Sequence, residues 1–579
     1  MRPSLLLALA CACGPALPSG TDGVDTGSPA PSGDGGGDAT DGGDGTPGTD
    51  GTDGAGGDDG GDGTDGGDGT GGPTDPLVSD LLWSPDGAYP AYDAMRVKGL
   101  QPDFWSDPVE VAGNNTGSVA MNLVWAHWQP AAAAPPCADG QVAHDGACYT
   151  PVAHIDDAIA TWTALGLDVT AVVYGVPEWA RQSRPCSPEA PGFEIFCVPD
   201  DPDEYARFAG MIARRYNGDN GVGRVTDFVI HNEVNSNIWF DIGCGQGVAC
   251  DPTDWLDTYT DNYWAAFDAI RVEQREAKVF VSLDHHFASP DYDRPAADNA
   301  LLAGQTVLQA VADAASGRDW RVAYHPYPPN LLLPDFSPDD WPRVTYGNLG
   351  ALQGWLASAW PGSAAATDVH LTESGVNSLG SSSQAAQAAG VCDSLRNVLG
   401  TPGINRYIYH RMKDHPDETA AGLGLGLWDA DGVAKQAWAT WALANRDDLS
   451  PPQLSCGFED LPYTVLTRSY RASRGHWASS RIAPDGFTTE QRWRLWRTEQ
   501  ADTTLLYECA VDGHNLLTDD PACEGLRPLG PVGWIHDLPG AGRVALYRCT
   551  IPANGDHFVS PSATCEGQTV ERLLGYALE

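Results

Sequence analysis

Two short stretches place acidic side chains where they could do covalent chemistry. Val229-Ile230-His231-Asn232-Glu233-Val234-Asn235 and His370-Leu371-Thr372-Glu373-Ser374-Gly375 each begin as an apolar, β-rich run and then turn polar, so Glu233 and Glu373 stand at strand ends. Two carboxylates brought together can divide a reaction: one keeps a proton for a departing oxygen while the other attacks carbon. Taken singly, a glutamate after a strand serves as well in a helix cap or a surface ion pair. The two together, in this order and with Asn232 before the first, single the pair out.

The elements that must position them alternate along residues 77–450. Apolar runs at Ala120 to Trp125, Asp168 to Tyr174, Val225 to Ile230, Lys278 to Leu283, Trp320 to Tyr324, Val369 to Thr372 and Asn405 to Tyr409 have the pattern of buried parallel strands. A first strand near Ala94 to Lys98 brings the number to eight. Between them lie helical patterns at Ile155 to Leu165, Tyr205 to Tyr216, Trp255 to Glu276, Ala300 to Ala314 and Gln384 to Leu399. This is the alternation of an α/β protein with a (β/α)8 TIM barrel, whose catalytic groups stand at the C-terminal strand ends. An open doubly wound sheet is the competitor, but its Gly-rich first turn is missing.

With Asn232-Glu233 after strand four and Glu373 after strand seven, the chain resembles clan A of the retaining glycoside hydrolases. The resemblance covers most of residues 90–445 and implies Glu233 as acid/base and Glu373 as nucleophile. Such a pair works with its carboxyls roughly 5 to 5.5 Å apart. Asn232 would then bond the sugar 2-hydroxyl, a contact that tightens as the oxocarbenium ion forms. His231 to Asn235, Asp284-His285-His286 and Tyr324-His325-Pro326-Tyr327 together match no single well-characterised family of the clan and resemble an uncharacterised bacterial branch.

Other strand ends supply candidates for binding substrate. Val176-Pro177-Glu178-Trp179-Ala180 resembles the clan's cleft-shaping loop after strand three. His325 and Tyr327 follow strand six, where either could orient the nucleophile. Trp428, beyond strand eight, stands where the clan has a sugar platform, and His285 is expected to line the cleft or pack beneath it. Aromatic faces suit the apolar side of a pyranose, which makes Trp125, Trp128, Trp179, Trp239 and Trp428 candidates, with core packing as the alternative for each.

Rival chemistries find less support. His127, His231, His285, His286, His325 and His410 fall near strand ends and could build a metal site, but the His-x-His that opens barrel amidohydrolases is absent. No metal and no cofactor is expected. A Gly-x-Ser-x-Gly elbow is also absent. The 579 residues carry 33 Lys+Arg against 78 Asp+Glu, a formal charge of -45, so a polyanionic nucleic acid would be repelled. No run of about 20 apolar residues occurs to span a bilayer.

The apolar stretch Leu5 to Ala12 after Met1-Arg2, ending Cys11-Ala12-Cys13-Gly14, has the form of a secretory signal over residues 1–19. It resembles a bacterial lipoprotein signal, which implies lipidation at Cys11 or Cys13 and a cell-envelope location. Residues 20–76 hold fourteen Asp and no Lys or Arg, a solvated disordered linker rather than a calcium-binding repeat, which needs a regular apolar position. Of the other twelve cysteines, ten are near neighbours: Cys137/Cys148, Cys186/Cys197, Cys244/Cys250, Cys509/Cys523 and Cys549/Cys565. Proximity leaves Cys392 to Cys456, and the even number suits disulfides in an exported protein.

Residues 451–579 repeat themselves. Leu506-Tyr507-Glu508-Cys509, Gly513-His514, Cys523-Glu524-Gly525 and Gly533-Trp534 return as Leu546-Tyr547-Arg548-Cys549, Asp556-His557-Phe558, Cys565-Glu566-Gly567 and Gly575-Tyr576, a period of about 40 residues. A weaker copy without cysteines runs through Ser469-Tyr470-Arg471, Gly475-His476-Trp477 and Leu495-Trp496. Three such units fit a small all-β, β-trefoil-like domain. Tyr547-Arg548-Cys549 and Gly555-Asp556-His557-Phe558 resemble a module appended to secreted bacterial hydrolases, which implies carbohydrate or surface binding.

The sequence thus reads as an exported, surface-anchored glycoside hydrolase that cleaves a β-linked polysaccharide or oligosaccharide by double displacement. The alternatives are a catalytically inactive glycan-binding surface lipoprotein, and a scaffold whose function lies in the C-terminal repeats.

Overall fold

The computed structural model describes residues 97–102, 111, 116–290, 300–443 and 463–578. The signal, Cys11, Cys13, the linker, Cys456 and the 450/451 boundary lie outside the described residues.

Eight strands, β1 (Lys98–Leu100), β2 (Ser118–Val124), β3 (Asp168–Tyr174), β4 (Asp227–Ile230), β5 (Lys278–Leu283), β6 (Arg321–Tyr324), β7 (Val369–Leu371) and β8 (Ile404–Tyr409), form a closed barrel. Each pairs in parallel with its neighbours, and β1 closes against β8 with Lys98 opposite Tyr407. All seven residues of β3 are buried, as a strand covered on both faces requires. The first strand begins at Lys98 rather than ending there.

Helices α1 (Ala153–Ala164), α2 (Pro202–Arg215), α3 (Pro252–Glu273), α4 (Gly304–Asp313), α5 (Leu349–Ala359), α6 (Gln384–Leu399) and α7 (Gln436–Leu443) surround the barrel. In α2 and α3 an Asp-Pro pair sets the start: Asp201 and Asp251 accept from the N–H groups of Asp203 and Thr253 (2.9 Å each), and proline supplies a helical φ where no N–H is needed. At the N-terminal end of the barrel, Asp368 gathers Lys278 and Arg321 at 2.8 Å each, and Asp168 pairs with Arg406. The opposite end is left for chemistry.

The C-terminal region is an antiparallel nine-stranded sheet made of three copies of a three-stranded unit. The copies are β9 (Tyr463–Arg471), β10 (Gly475–Ser479) and β11 (Thr488–Trp496); β12 (Thr503–Val511), β13 (His514–Thr518) and β14 (Arg527–His536); β15 (Arg543–Ile551), β16 (Asp556–Ser560) and β17 (Thr569–Leu578). Disulfides join Cys137 to Cys148, Cys186 to Cys197, Cys244 to Cys250, Cys509 to Cys523 and Cys549 to Cys565. Cys392 is disulfide-bonded as well.

The copies are linked by ion pairs. Arg548 binds Glu524 of the preceding copy at 2.7 Å, and Arg468 binds Glu566 at 2.8 Å. The corresponding place in the middle copy holds an acid, Glu508, which takes Arg481 of the first copy at 2.6 Å. This reversed pair is buried against the barrel: Arg481 also donates to the Leu529 and Pro531 carbonyls, while Ser480 donates to the Gly400 carbonyl at 2.6 Å. No helix among the described residues is long and apolar enough to cross a membrane.

Candidate active site

After β4 the chain turns sharply, with His231 (φ 59°) and Glu233 (φ 41°) in the left-handed region that costs a side-chain-bearing residue energy. Neighbouring strands hold the turn. The His231 N–H donates to the Val173 carbonyl (2.9 Å), and Ser282 accepts the N–H of Glu233 at its hydroxyl and that of Val234 at its carbonyl (3.0 Å each). Beneath lies His231, stacked on Tyr205 at 4.2 Å; burial drives its pKa down to about 3, so it is a neutral packing group.

Glu233 and Glu373 face each other. Each presents a carboxylate oxygen, and these oxygens and a ring nitrogen of His325 all lie within 4.8 Å of one another. Nδ1 of His325 is 2.8 Å from Oε1 of Glu233, and its Nε2 is 3.0 Å from the Thr372 hydroxyl. The Tyr327 hydroxyl donates to Oε1 of Glu373 at 3.0 Å. One strand-end loop therefore serves both acids, His325 holding Glu233 and Tyr327 holding Glu373.

Asn232 is 2 % exposed, and its Nδ2 has no hydrogen-bond partner among the described residues. A buried amide donor next to Glu233 is an uncompensated cost unless something else completes it.

Burial raises the pKa of Glu233 to about 7, against the lowering contact with His325 and with further raising from the charges of Asp284 and Glu373. Glu233 therefore titrates near neutrality rather than in the ordinary carboxylate range. Burial lowers the pKa of His325, but Glu233 and Glu373 outweigh it and leave His325 above its ordinary value. Burial would raise Asp284 too, yet His286 at 2.7 Å holds it well below the usual carboxylate range. Asn235 fixes Asp284 from both sides, donating to Oδ1 at 2.5 Å and accepting its N–H at 3.0 Å.

The remaining candidates divide. Trp428 is half-buried on the loop after β8, packs edge-on against Trp438 at 5.6 Å, and has an indole N–H with no partner among the described residues. Trp179 is half-buried and donates to the Gln129 carbonyl at 2.9 Å. His285 stacks on His286 at 4.4 Å. Trp125 and Trp128 are fully buried and follow the core-packing alternative: they turn inward and pack on Phe208 and Tyr216. Trp239 is buried against Phe193 and Phe196.

Of the six strand-end histidines, His325 contacts a carboxylate of the pair, and Glu233 and Thr372 engage both its nitrogens. Ser282, which seats Glu233, carried no motif of its own, and Thr372 entered only as a neighbour of Glu373 although it holds His325.

No curated protein sequence matches the chain. Among solved structures, similarity extends to a family 39 glycoside hydrolase from Bacteroides cellulosilyticus (14% identity, 85% of this chain and 83% of that one, TM-score 0.44). It extends also to a glucosidase from Croceicoccus marinus (12%, 81% and 93%, 0.42) and a monomeric β-xylosidase from Caulobacter crescentus (14%, 62% and 69%, 0.39). A protein-family model described as a family of unknown function, DUF5722, matches residues 90–450. The match spans the barrel, both acids and the loops that hold them, and the chain belongs to the DUF5722 family.

Proposed function

We propose that the chain is a retaining glycoside hydrolase acting on a β-linked glycan. The observation that carries this reading is the Glu233/Glu373 pair, with carboxylate oxygens within 4.8 Å and with separate partners. That spacing suits double displacement, in which no water stands between the second carboxylate and the sugar.

In the first step Glu373 attacks the anomeric carbon while the bond to the leaving oxygen breaks and that oxygen takes the proton of Glu233. In the second, water attacks the same carbon, gives its proton to Glu233 and releases Glu373. The Nδ2 of Asn232, unpartnered among the described residues, supplies a donor for the sugar 2-hydroxyl, and Trp428 offers an aromatic face.

The disulfides accord with export, and the N-terminal Cys11 and Cys13 with a lipid anchor. The threefold C-terminal sheet fits a trefoil-like accessory module that keeps the barrel near polymer.

The anomer released first tests the mechanism. Proton NMR of fresh hydrolysate should show the β-anomer before mutarotation; initial release of the α-anomer would reject the double displacement.

A further inference from the structure

A three-residue stretch far from the carboxylates in sequence ties together the loops that carry the site. The Val344 N–H donates to the His285 carbonyl after β5, and the Tyr346 N–H to the Pro326 carbonyl after β6, at 3.0 Å each. The Tyr346 hydroxyl donates to Oγ of Ser374, the residue next to Glu373, at 2.6 Å. Tyr346 is fully buried, so these bonds work without competition from water.

The same stretch continues into α5, on which the C-terminal module sits. A methyl on Gly350 would collide with the Leu529 carbonyl, and a Cβ on Gly354 would lie 2.7 Å from Cβ of Pro528. From the module, the Ile482 N–H donates to Oδ1 of Asn397 at 2.9 Å, and Nδ2 of Asn397 donates to the Tyr346 carbonyl at 2.8 Å. A continuous hydrogen-bonded path thus runs from Ile482 through Asn397 and Tyr346 to Ser374.

We infer that Tyr346 is a positioning residue for Glu373 and that the C-terminal module holds it in place, making the module part of the catalytic unit as well as an accessory. The inference rests on the glycosidase reading. The Tyr346 N–H and hydroxyl face the loops after β6 and β7, its carbonyl faces the module's contact Asn397, and its hydroxyl also accepts from the Tyr407 hydroxyl at 2.8 Å. Its ring packs separately, 5.4 Å from Phe336 and 5.4 Å from Tyr407, so a phenylalanine keeps the packing and loses only the hydroxyl.

The test compares full-length wild type, Tyr346→Phe and Asn397→Ala by amide hydrogen exchange of the segments containing 369–378 and 325–327, and by steady-state kinetics on a cleaved β-glycan. Both variants should melt cooperatively, exchange faster in these segments and not in β2 or β3, and lose about tenfold to hundredfold in kcat with KM nearly unchanged. Unchanged exchange in both, a change confined to KM, or loss of the cooperative melt in both would overturn the inference. Should wild type cleave no β-glycan, the glycosidase reading fails, while the exchange measurement still decides whether Tyr346 and Asn397 order the Glu373 loop.

Discussion

The Tyr327 hydroxyl donates to Oε1 of Glu373 at 3.0 Å, so the acid after β7 is oriented by the loop after β6. A hydrogen bond to a charged acceptor contributes about 1.5–3 kcal/mol. Tyr327→Phe should therefore lower kcat by about tenfold to hundredfold, with little change in thermal stability, as read by steady-state kinetics and a melt.

The two carboxylates should fail differently. Glu373→Ala removes the atom that forms the covalent bond and should abolish turnover on every substrate. Glu233→Ala removes a proton donor and should spare substantial activity on aryl glycosides whose leaving group needs no proton. Equal, small losses in both would contradict the assignments.

The pH profile follows from Glu233. Its carboxyl must be protonated to act as the acid, and its pKa is raised to about 7, so kcat/KM should fall about tenfold per pH unit above that value. Glu233→Gln should remove this limb. The sign for stability is the same: the raised carboxyl favours the folded state fully below its ordinary value of 4.5, and this contribution is lost as pH rises through about 7. Denaturant titrations should show Glu233→Gln less sensitive to pH than wild type over that window.

The reversed ion pair at the module seam gives a stability prediction. Arg481 and Glu508 have side chains 4 % and 2 % exposed. Arg481→Met leaves Glu508 buried without its cation and should cost about 3–5 kcal/mol in urea unfolding. Adding Glu508→Leu should recover most of that loss, since the unpaired charge rather than the missing contact carries the penalty.

The sequence showed the barrel because parallel strands covered on both faces read as apolar runs; the expected bounds of β3 and β5 match those observed. It hid α5, where Gly350 and Gly354 weaken the helical pattern yet permit backbone contact with Leu529 and Gly530. Residue type left Trp125 and Trp128 open between sugar platform and core, because which way a ring faces depends on the tertiary packing that buries both. The division of labour between His325 and Tyr327 was equally hidden, since both follow one strand and only the backbone path decides which acid each reaches. Tyr346 had no motif at all, because its partners come from the loops after β6 and β7, from α6 and from β8.

Release of reducing ends from a panel of β-glucans, mannans, xylans, galactans and host glycans, by residues 77–579 and by their Glu373→Ala form, tests the central claim most directly. Cleavage of at least one polymer by the native sequence and of none by the variant is the expected result. Cleavage of the same polymer at equal rates by both would contradict the role of Glu373, and silence from both alongside tight binding of one polymer would leave a glycan-binding protein in place of a hydrolase.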